Sequence, residues 1–413
     1  MPSTVLAYTS PALGHLYPMT ALLLELADRG HRVHVRTLAG QVAALRAAGL
    51  AASPVDPRIE AITATDWQAR GAAGALRSAV EIFTTRAAYD APDLRAAIDR
   101  TRPDLVIVDI NSWGASAVAE AWGGPWVRFS PYTPPLASRG TPPFGPGWAP
   151  RTDRIGRLRD AVGRPLVMGV AERVFRPRVN AVRADLGLAP VSSADAFFRG
   201  APLMLVTTAT PFEYPHGDWG PGIRMVGPLS WEPPRRDPAW LNDLAGDVVL
   251  VSTSSEYQHD EALIVAAVAG LADGPWTVVA TMPAGSADPG RLPGNVRLER
   301  FVPHGPLLGR AVAAVTHGGM GVTQKALSRS VPVCVVPFGR DQLEVAARVV
   351  HARAGTRVAR RRLSPETLRA GVEEALTRRA GAVRVAAGFA AAGGAPRAAD
   401  EVEGLLASAS ARA

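Results

Sequence analysis

The chain predicts an α/β protein built from two doubly wound domains that face each other across a cleft. Three observations carry that expectation: β-α alternation opens at the N-terminus, it starts afresh beyond residue 243, and a stretch rich in proline and charge separates the two runs. Alternation of this kind builds parallel sheets with helices on both faces. With 413 residues the chain is long enough for roughly two to three domains. The division read from the sequence is 1–228, a linker over 229–243, and 244–413, with the last helix a candidate to pack back on the first domain.

The elements follow in order. Val5-Leu6-Ala7-Tyr8 is a short apolar strand, Thr9 to Pro18 reads as a loop because it carries Pro, Gly and His, and Leu22, Leu23 and Leu26 lie at helical spacing within Met19 to Arg29. Gly30 stops that helix, and Val33 and Val35 begin the next strand. Leu105 to Val108 is a strand ending in Asp109, followed by an Ala-rich helix and a strand around Trp126-Val127. Residues 60 to 100 and 150 to 200 read as helical insertions, and Pro134 to Pro150 as a proline-rich loop. Beyond Pro233, Pro234 and Pro238 come strands at Val248–Val251, Thr277–Ala280, Val312–Val315 and Val333–Val336, a helix from about Asp260, and a final helix over Ala398–Leu406.

Composition excludes several classes. Forty-seven per cent hydrophobic and 20% charged residues describe a globular chain, not a disordered one. The net charge of +8 is carried almost entirely by arginines spread through every block, which reads as a solvated surface and not as a nucleic-acid stripe. Cys334 is the single cysteine, so no internal disulfide and no cysteine metal cluster can form. No segment reaches the roughly 18 apolar residues of a membrane span, and no basic leader precedes the first strand, so the expected location is cytoplasmic. There is no GxGxxG at the first turn, no GxxxxGK[ST] and no HExxH, which argues against a dinucleotide dehydrogenase, a P-loop ATPase and a zincin.

The motif with most chemical content is Thr316-His317-Gly318-Gly319-Met320-Gly321-Val322-Thr323. It joins an apolar strand to a helix, and its glycines let an anion approach free N–H groups at the helix start. Val336-Pro337-Phe338-Gly339-Arg340-Asp341-Gln342 follows the next strand; a carboxylate beside a carboxamide can grip sugar hydroxyls, although an Asp there also serves as an ordinary helix cap. Phe301-Val302-Pro303-His304 puts an aromatic beside the same rim, where it could stack on a base or pack the core. In the first half, Gly14-His15-Leu16-Tyr17-Pro18 offers an imidazole that titrates near neutrality. Asp109, at the carboxyl end of another strand of the same sheet, lies on the same rim and could orient it as in a triad.

Together these segments resemble the inverting glycosyltransferases of family one, with the two-domain GT-B fold of Rossmann-like halves, in the bacterial branch that decorates macrolide and polyketide antibiotics. The resemblance runs from GHLYP to PFGRDQ and rests chiefly on FVPH, THGGMG and VPFGRDQ in combination. It implies that His15 is the base for the acceptor hydroxyl and Asp109 its support. It further implies that Ser254 and Ser255, at the start of the second domain's first helix, lie near the diphosphate, and that Phe301 and Val302 contact the base. His317 with Gly318, Gly319, Met320, Gly321, Val322 and Thr323 would cradle the diphosphate, and Asp341 and Gln342 would hold the donor sugar. Two positions depart from the family pattern. Val322 stands where a hydroxyl is usual, with Thr323 a neighbouring substitute, and Lys325, the single lysine, stands where many relatives carry a ribose-binding Glu. The second departure favours a TDP-deoxysugar over UDP-glucose, unless Lys325 is a surface residue without a ligand role.

The reaction implied is a single in-line displacement on a nucleotide-sugar co-substrate, with no metal required, at an apolar polyketide-like acceptor. Trp67, Phe83, Trp113, Phe129 and Tyr132 are the candidate acceptor walls, each equally able to pack a core. The rivals are a non-catalytic nucleotide-binding activator of another glycosyltransferase, a GT-B nucleotide-sugar epimerase and a pyridoxal-phosphate phosphorylase. The scattered arginines and the lack of a long apolar segment lead us to expect no nucleic-acid or membrane partner, and the resemblance leaves a homodimer open.

Overall fold

The computed structural model describes residues 2–234, 236–285 and 288–411. Its first sheet contains β1 (Thr4–Tyr8), β2 (Arg32–Thr37), β3 (Ala51–Pro54), β4 (Leu105–Asp109), β5 (Trp126–Ser130), β6 (Leu203–Val206) and β7 (Ile223–Met225), in the spatial order β3-β2-β1-β4-β5-β6-β7. Every pairing is parallel. The second contains β8 (Val248–Ser252), β9 (Thr277–Thr281), β10 (Val296–Glu299), β11 (Ala311–Thr316), β12 (Val333–Val335) and β13 (Gly355–Arg357), in the order β10-β9-β8-β11-β12-β13, also parallel throughout. The central strands β1, β4 and β8 are buried along their whole length, as apolar runs covered by helices on both faces must be.

Strand order decides where ligands can sit. In the first sheet the order reverses between β1 and β4, and in the second between β8 and β11. Chain leaving two such strands at their carboxyl ends diverges to opposite faces and opens a crevice there. The candidate residues after β1 and at the end of β4, and those after β8 and β11, therefore occupy the switch point of their own domain.

The structure corrects the reading of residues 9 to 18. A helix already runs from Leu13 to Asp28, with Pro18 inside it. Proline removes one backbone bond, the one that would reach the carbonyl of Gly14 in the first turn, and Gly14 has no neighbouring atoms crowding it. Burial of Leu16, Met19, Leu22, Leu23 and Leu26, at about 2 kcal/mol each, outweighs that loss. His15 consequently stands on the first turn of a helix and not on a loop. The second domain's first helix begins at Glu261, so Ser254 and Ser255 lie in the loop before it. That loop is held by the Asp260 carboxylate, which accepts the Ser254 N–H at 2.7 Å.

The two domains share packing. The last helix, Gly394–Ser410, buries Ala398, Ala399 and Val402 in the first domain's core, and Arg29 donates to Asp400 and Glu403 on it at 2.7 and 2.8 Å. In return Ala209 and Phe212 from the first half enter the second domain's core. Among the described residues no helix is long and apolar enough to cross a membrane, and no group of three His, Cys, Asp or Glu could hold a metal ion.

Candidate active site

At the first switch point His15 and Asp109 meet: Nδ1 lies 2.8 Å from Oδ2 of a carboxylate with no solvent exposure. The other Asp109 oxygen accepts the Asn111 N–H at 2.9 Å, which fixes the carboxylate in place. Tyr132 donates to Asn111 Oδ1 at 2.8 Å, so the Asn111 amide nitrogen faces His15 Nε2 at 3.4 Å. With Nδ1–H donating to Asp109, Nε2 carries the lone pair and faces the Asn111 amide. Burial opposes a charge on this imidazole, but Asp109 outweighs it by attraction and hydrogen bonding, with help from Glu256 and Asp341 of the other domain, and the pKa rises above its ordinary value. Burial, Asp109 and Asp341 push the Tyr132 hydroxyl well up, so it stays a neutral donor.

The second switch point is a glycine-rich turn onto a helix start. Gly318 adopts φ +93°, and a Cβ there would come within 2.9 Å of Gln342 Cβ and 3.1 Å of Val335, so only glycine fits. A Cβ on Gly319 would strike the His317 ring at 2.4 Å, whereas Gly321 faces open space. The helix Met320–Leu327 starts here, and its first amides have no carbonyl of their own turn to bond. His317 is buried, its Nδ1 sits 3.3 Å from the Ser252 carbonyl, and burial pushes its pKa down to about 4. The Met320 side chain belongs to the core, and the half-buried Val322 brings no hydroxyl. Thr323 does not replace it, because its hydroxyl is buried at 3.2 Å from Thr316 Oγ1.

Asp341 stands at the start of the Gln342–His351 helix, half-buried, with its carboxyl pushed up by burial against the pull of Arg340 and His15. The imidazole of one domain and this carboxylate of the other thus lie within electrostatic reach across the cleft. Gln342 is committed elsewhere. Its Oε1 accepts from Phe338 N at 2.6 Å and Gly339 N at 3.0 Å, and its Nε2 donates to Gln258 at 2.5 Å, so it shapes the turn that presents Asp341. Ser254 is likewise occupied, accepting from Gln258 at 2.7 Å, while Ser255 is exposed.

The match to known proteins follows this geometry. Residues 265–405 match the erythromycin biosynthesis protein CIII-like C-terminal domain. The 4'-demethylrebeccamycin synthase of Lentzea aerocolonigenes is 34% identical over 98% of this chain and 100% of its own length. The chain belongs to the antibiotic glycosyltransferases. The demethyllactenocin mycarosyltransferase of Streptomyces fradiae is 28% identical over 96% of the chain and 85% of that protein. The crystal structure of the kitacinnamycin glycosyltransferase superposes with a TM-score of 0.72 at 26% identity, covering 98% of this chain and 99% of that one. The fold is GT-B.

In this glycosyltransferase the aromatic candidates separate. Phe129 is fully buried in the first core, and Trp113 is buried against Phe83, Phe175 and Phe197, so neither forms a wall of the cleft. Both sit on or directly after a central strand, where aromatic bulk fills the layer between sheet and helix. Phe83 is half-buried in that cluster. Tyr132 does reach the site, edge-on to His15 with centroids 5.7 Å apart. Trp67 meets the other domain, 4.9 Å from Tyr257. Phe301 is exposed on its loop, whereas the Val302 side chain is buried in the core and has only its backbone to offer.

Beside this glycine turn lies a cavity of about 330 Å³ lined by Ser230, Gly321, Gln324, Lys325 and Arg329 among others. Lys325 is half-buried and donates to Glu232 Oε1 at 2.7 Å. Burial works against the Glu232 charge, but Lys325 beside it holds the carboxyl below its ordinary range. Asn111, Glu232 and Glu256 are not singled out by the sequence, and Arg340 stands in the VPFGRDQ segment without a role of its own. Asn111 has a local signal, two residues beyond a strand-ending Asp on the same rim; Glu232 and Glu256 carry none, because their partners are distant in the chain.

Proposed function

We propose that the glycosyltransferase moves a deoxysugar from a thymidine diphosphate donor to a hydroxyl of a bulky apolar aglycone, with inversion at the anomeric carbon. The observation that carries this reading is the His15–Asp109 pair, with Nε2 beside the Asn111 amide and the imidazole within electrostatic reach of Asp341 in the facing domain. The acceptor oxygen forms its bond to the anomeric carbon as His15 takes the acceptor proton. The bond to the diphosphate breaks, and its electron pair leaves with the nucleotide. The first amides of the Met320–Leu327 helix meet the charge that develops there, a stabilisation worth about 3 kcal/mol per donor and supplied without a metal. Asp109 holds the imidazolium. Lys325, paired to Glu232, fills the place where a carboxylate would grip two ribose hydroxyls, which supports a thymidine nucleotide. The compounds in the names of the demethyllactenocin and rebeccamycin relatives support an antibiotic aglycone as acceptor.

The test is a panel of TDP- and UDP-hexoses against macrolide and aromatic aglycones, followed by mass spectrometry and by NMR of the anomeric configuration. His15→Ala should lower kcat by about 10³-fold while leaving nucleotide affinity within about twofold, read by calorimetry. Normal turnover by that variant, or a product of retained configuration, would remove the mechanism.

A further inference from the structure

Three loops meet at the rim of the cleft beside Asp341. From the first domain comes the segment between the Pro57–Ala61 and Gly71–Thr101 helices, carrying Asp66 and Trp67. From the second come the loop after β8, carrying Glu256, Tyr257 and His259, and the turn after β12, carrying Arg340. Asp66 receives both Nε and Nη2 of Arg340, at 2.9 and 3.0 Å, while Nη1 goes to Glu256 at 2.7 Å. Trp67 lies edge-on to Tyr257 at 4.9 Å and stacks on His259 at 6.1 Å. Arg340 holds φ +51°, a left-handed conformation that a bulky side chain keeps only when its surroundings impose it, and it directly precedes Asp341. The far end of the first-domain segment is tied down as well, since Arg86 donates to the Ile62 carbonyl.

We propose that Asp66 and Trp67, closing on Arg340, Glu256, Tyr257 and His259, form a clasp that keeps water from the activated sugar and so commits the sugar to the acceptor. The inference rests on the donor reading given above. A base that deprotonates an acceptor hydroxyl serves water equally well: the water oxygen would bond to the anomeric carbon, His15 would take its proton, and the diphosphate would leave with the electron pair. Geometry alone can prevent that loss, by excluding water. The clasp spans the mouth next to Asp341 and Glu256, the two carboxylates of the second domain that act on His15. Trp67 is exposed and the Arg340 side chain keeps part of its surface in water, so solvent reaches a contact that must open in each cycle. Asp66 and Trp67 are positioning residues, acting through the turn that presents Asp341.

The experiment compares acceptor-free release of nucleotide from a TDP-hexose with transfer to an aglycone, in the wild type, Asp66→Asn, Trp67→Ala and Asp66→Glu. Asp66→Asn and Trp67→Ala should raise the ratio of hydrolysis to transfer by about fivefold or more, and Asp66→Glu should stay near the wild type. A purely structural role would lower both rates in parallel; an unchanged ratio with transfer still measurable overturns the clasp and leaves the transferase intact. Trp67→Ala, at an exposed ring, gives the same reading should Asp66→Asn fail to fold. A wild type that turns over no TDP- or UDP-hexose, with or without acceptor, overturns the donor reading and the clasp with it.

Discussion

His15 shows how a single side chain acquires its chemistry from its neighbours. An isolated imidazole would titrate at its ordinary value, and burial alone would favour the neutral form. The 2.8 Å contact with Asp109 reverses that balance, so the proton is held more tightly than usual. Because the pKa is raised, the neutral form that can accept a proton predominates only at a pH above the ordinary histidine value. Activity should therefore rise with pH along a limb centred above the ordinary histidine value. Asp109→Asn removes the attraction and leaves the burial, so the limb should move to lower pH while kcat falls by at least about 10²-fold. Rate against pH for both proteins checks the shift, and a limb that stays in place would detach Asp109 from His15.

At the scale of an element, the β11 turn and the helix after it are shaped by what cannot be there. Gly318 occupies a left-handed conformation, and its missing side chain is the space that Val335 and Gln342 use. Gly318→Ala adds both strain and overlap, so the variant should lose about 1–3 kcal/mol of stability, seen as a lower Tm, together with nucleotide affinity. The three glycines of the turn were legible in the sequence because anion loops need them. The side-chain roles within it were not. Val302 and Met320 turn inward, Thr323 bonds to Thr316, and Gln342 caps its own turn. A motif fixes the backbone path, whereas the direction of each side chain depends on which neighbour offers a partner or a space.

For the whole molecule, the decisive contact is a buried network between the domains. Glu213 of the first half receives Arg348 Nε at 2.8 Å and Thr133 Oγ1 at 2.5 Å, while Arg348 also donates to Glu344 at 2.9 Å. Glu344 in turn accepts the Gly145 and Gly147 amides of the proline-rich loop, each at 2.8 Å. Burial alone would raise the Glu213 pKa, but Arg348, His216 and Thr133 lower it from 4.5 to about 2. A depressed carboxylate stabilises the fold above its unfolded pKa and loses that contribution as pH falls through the folded one. This part of the stability should thus disappear between about pH 4.5 and pH 2. Glu213→Gln leaves the buried guanidinium with a single carboxylate and should cost about 3 kcal/mol near neutral pH, with a flatter acid limb in denaturation curves.

By itself the sequence determined the α/β class, the alternation that builds two parallel sheets, and the rims on which His15, Asp109, His317 and Asp341 stand. Periodicity and glycine spacing act over a few residues, and a parallel strand always delivers its end to the same edge. Tertiary structure alone decided that Trp113 and Phe129 are core, that the Asn111 amide faces the His15 imidazole, and that Asp66, Arg340 and Glu256 join across the cleft. Those outcomes depend on residues up to 274 positions apart. No local pattern encodes such a pairing, because the energy that selects it exists only once both sheets have formed and the two lobes have met.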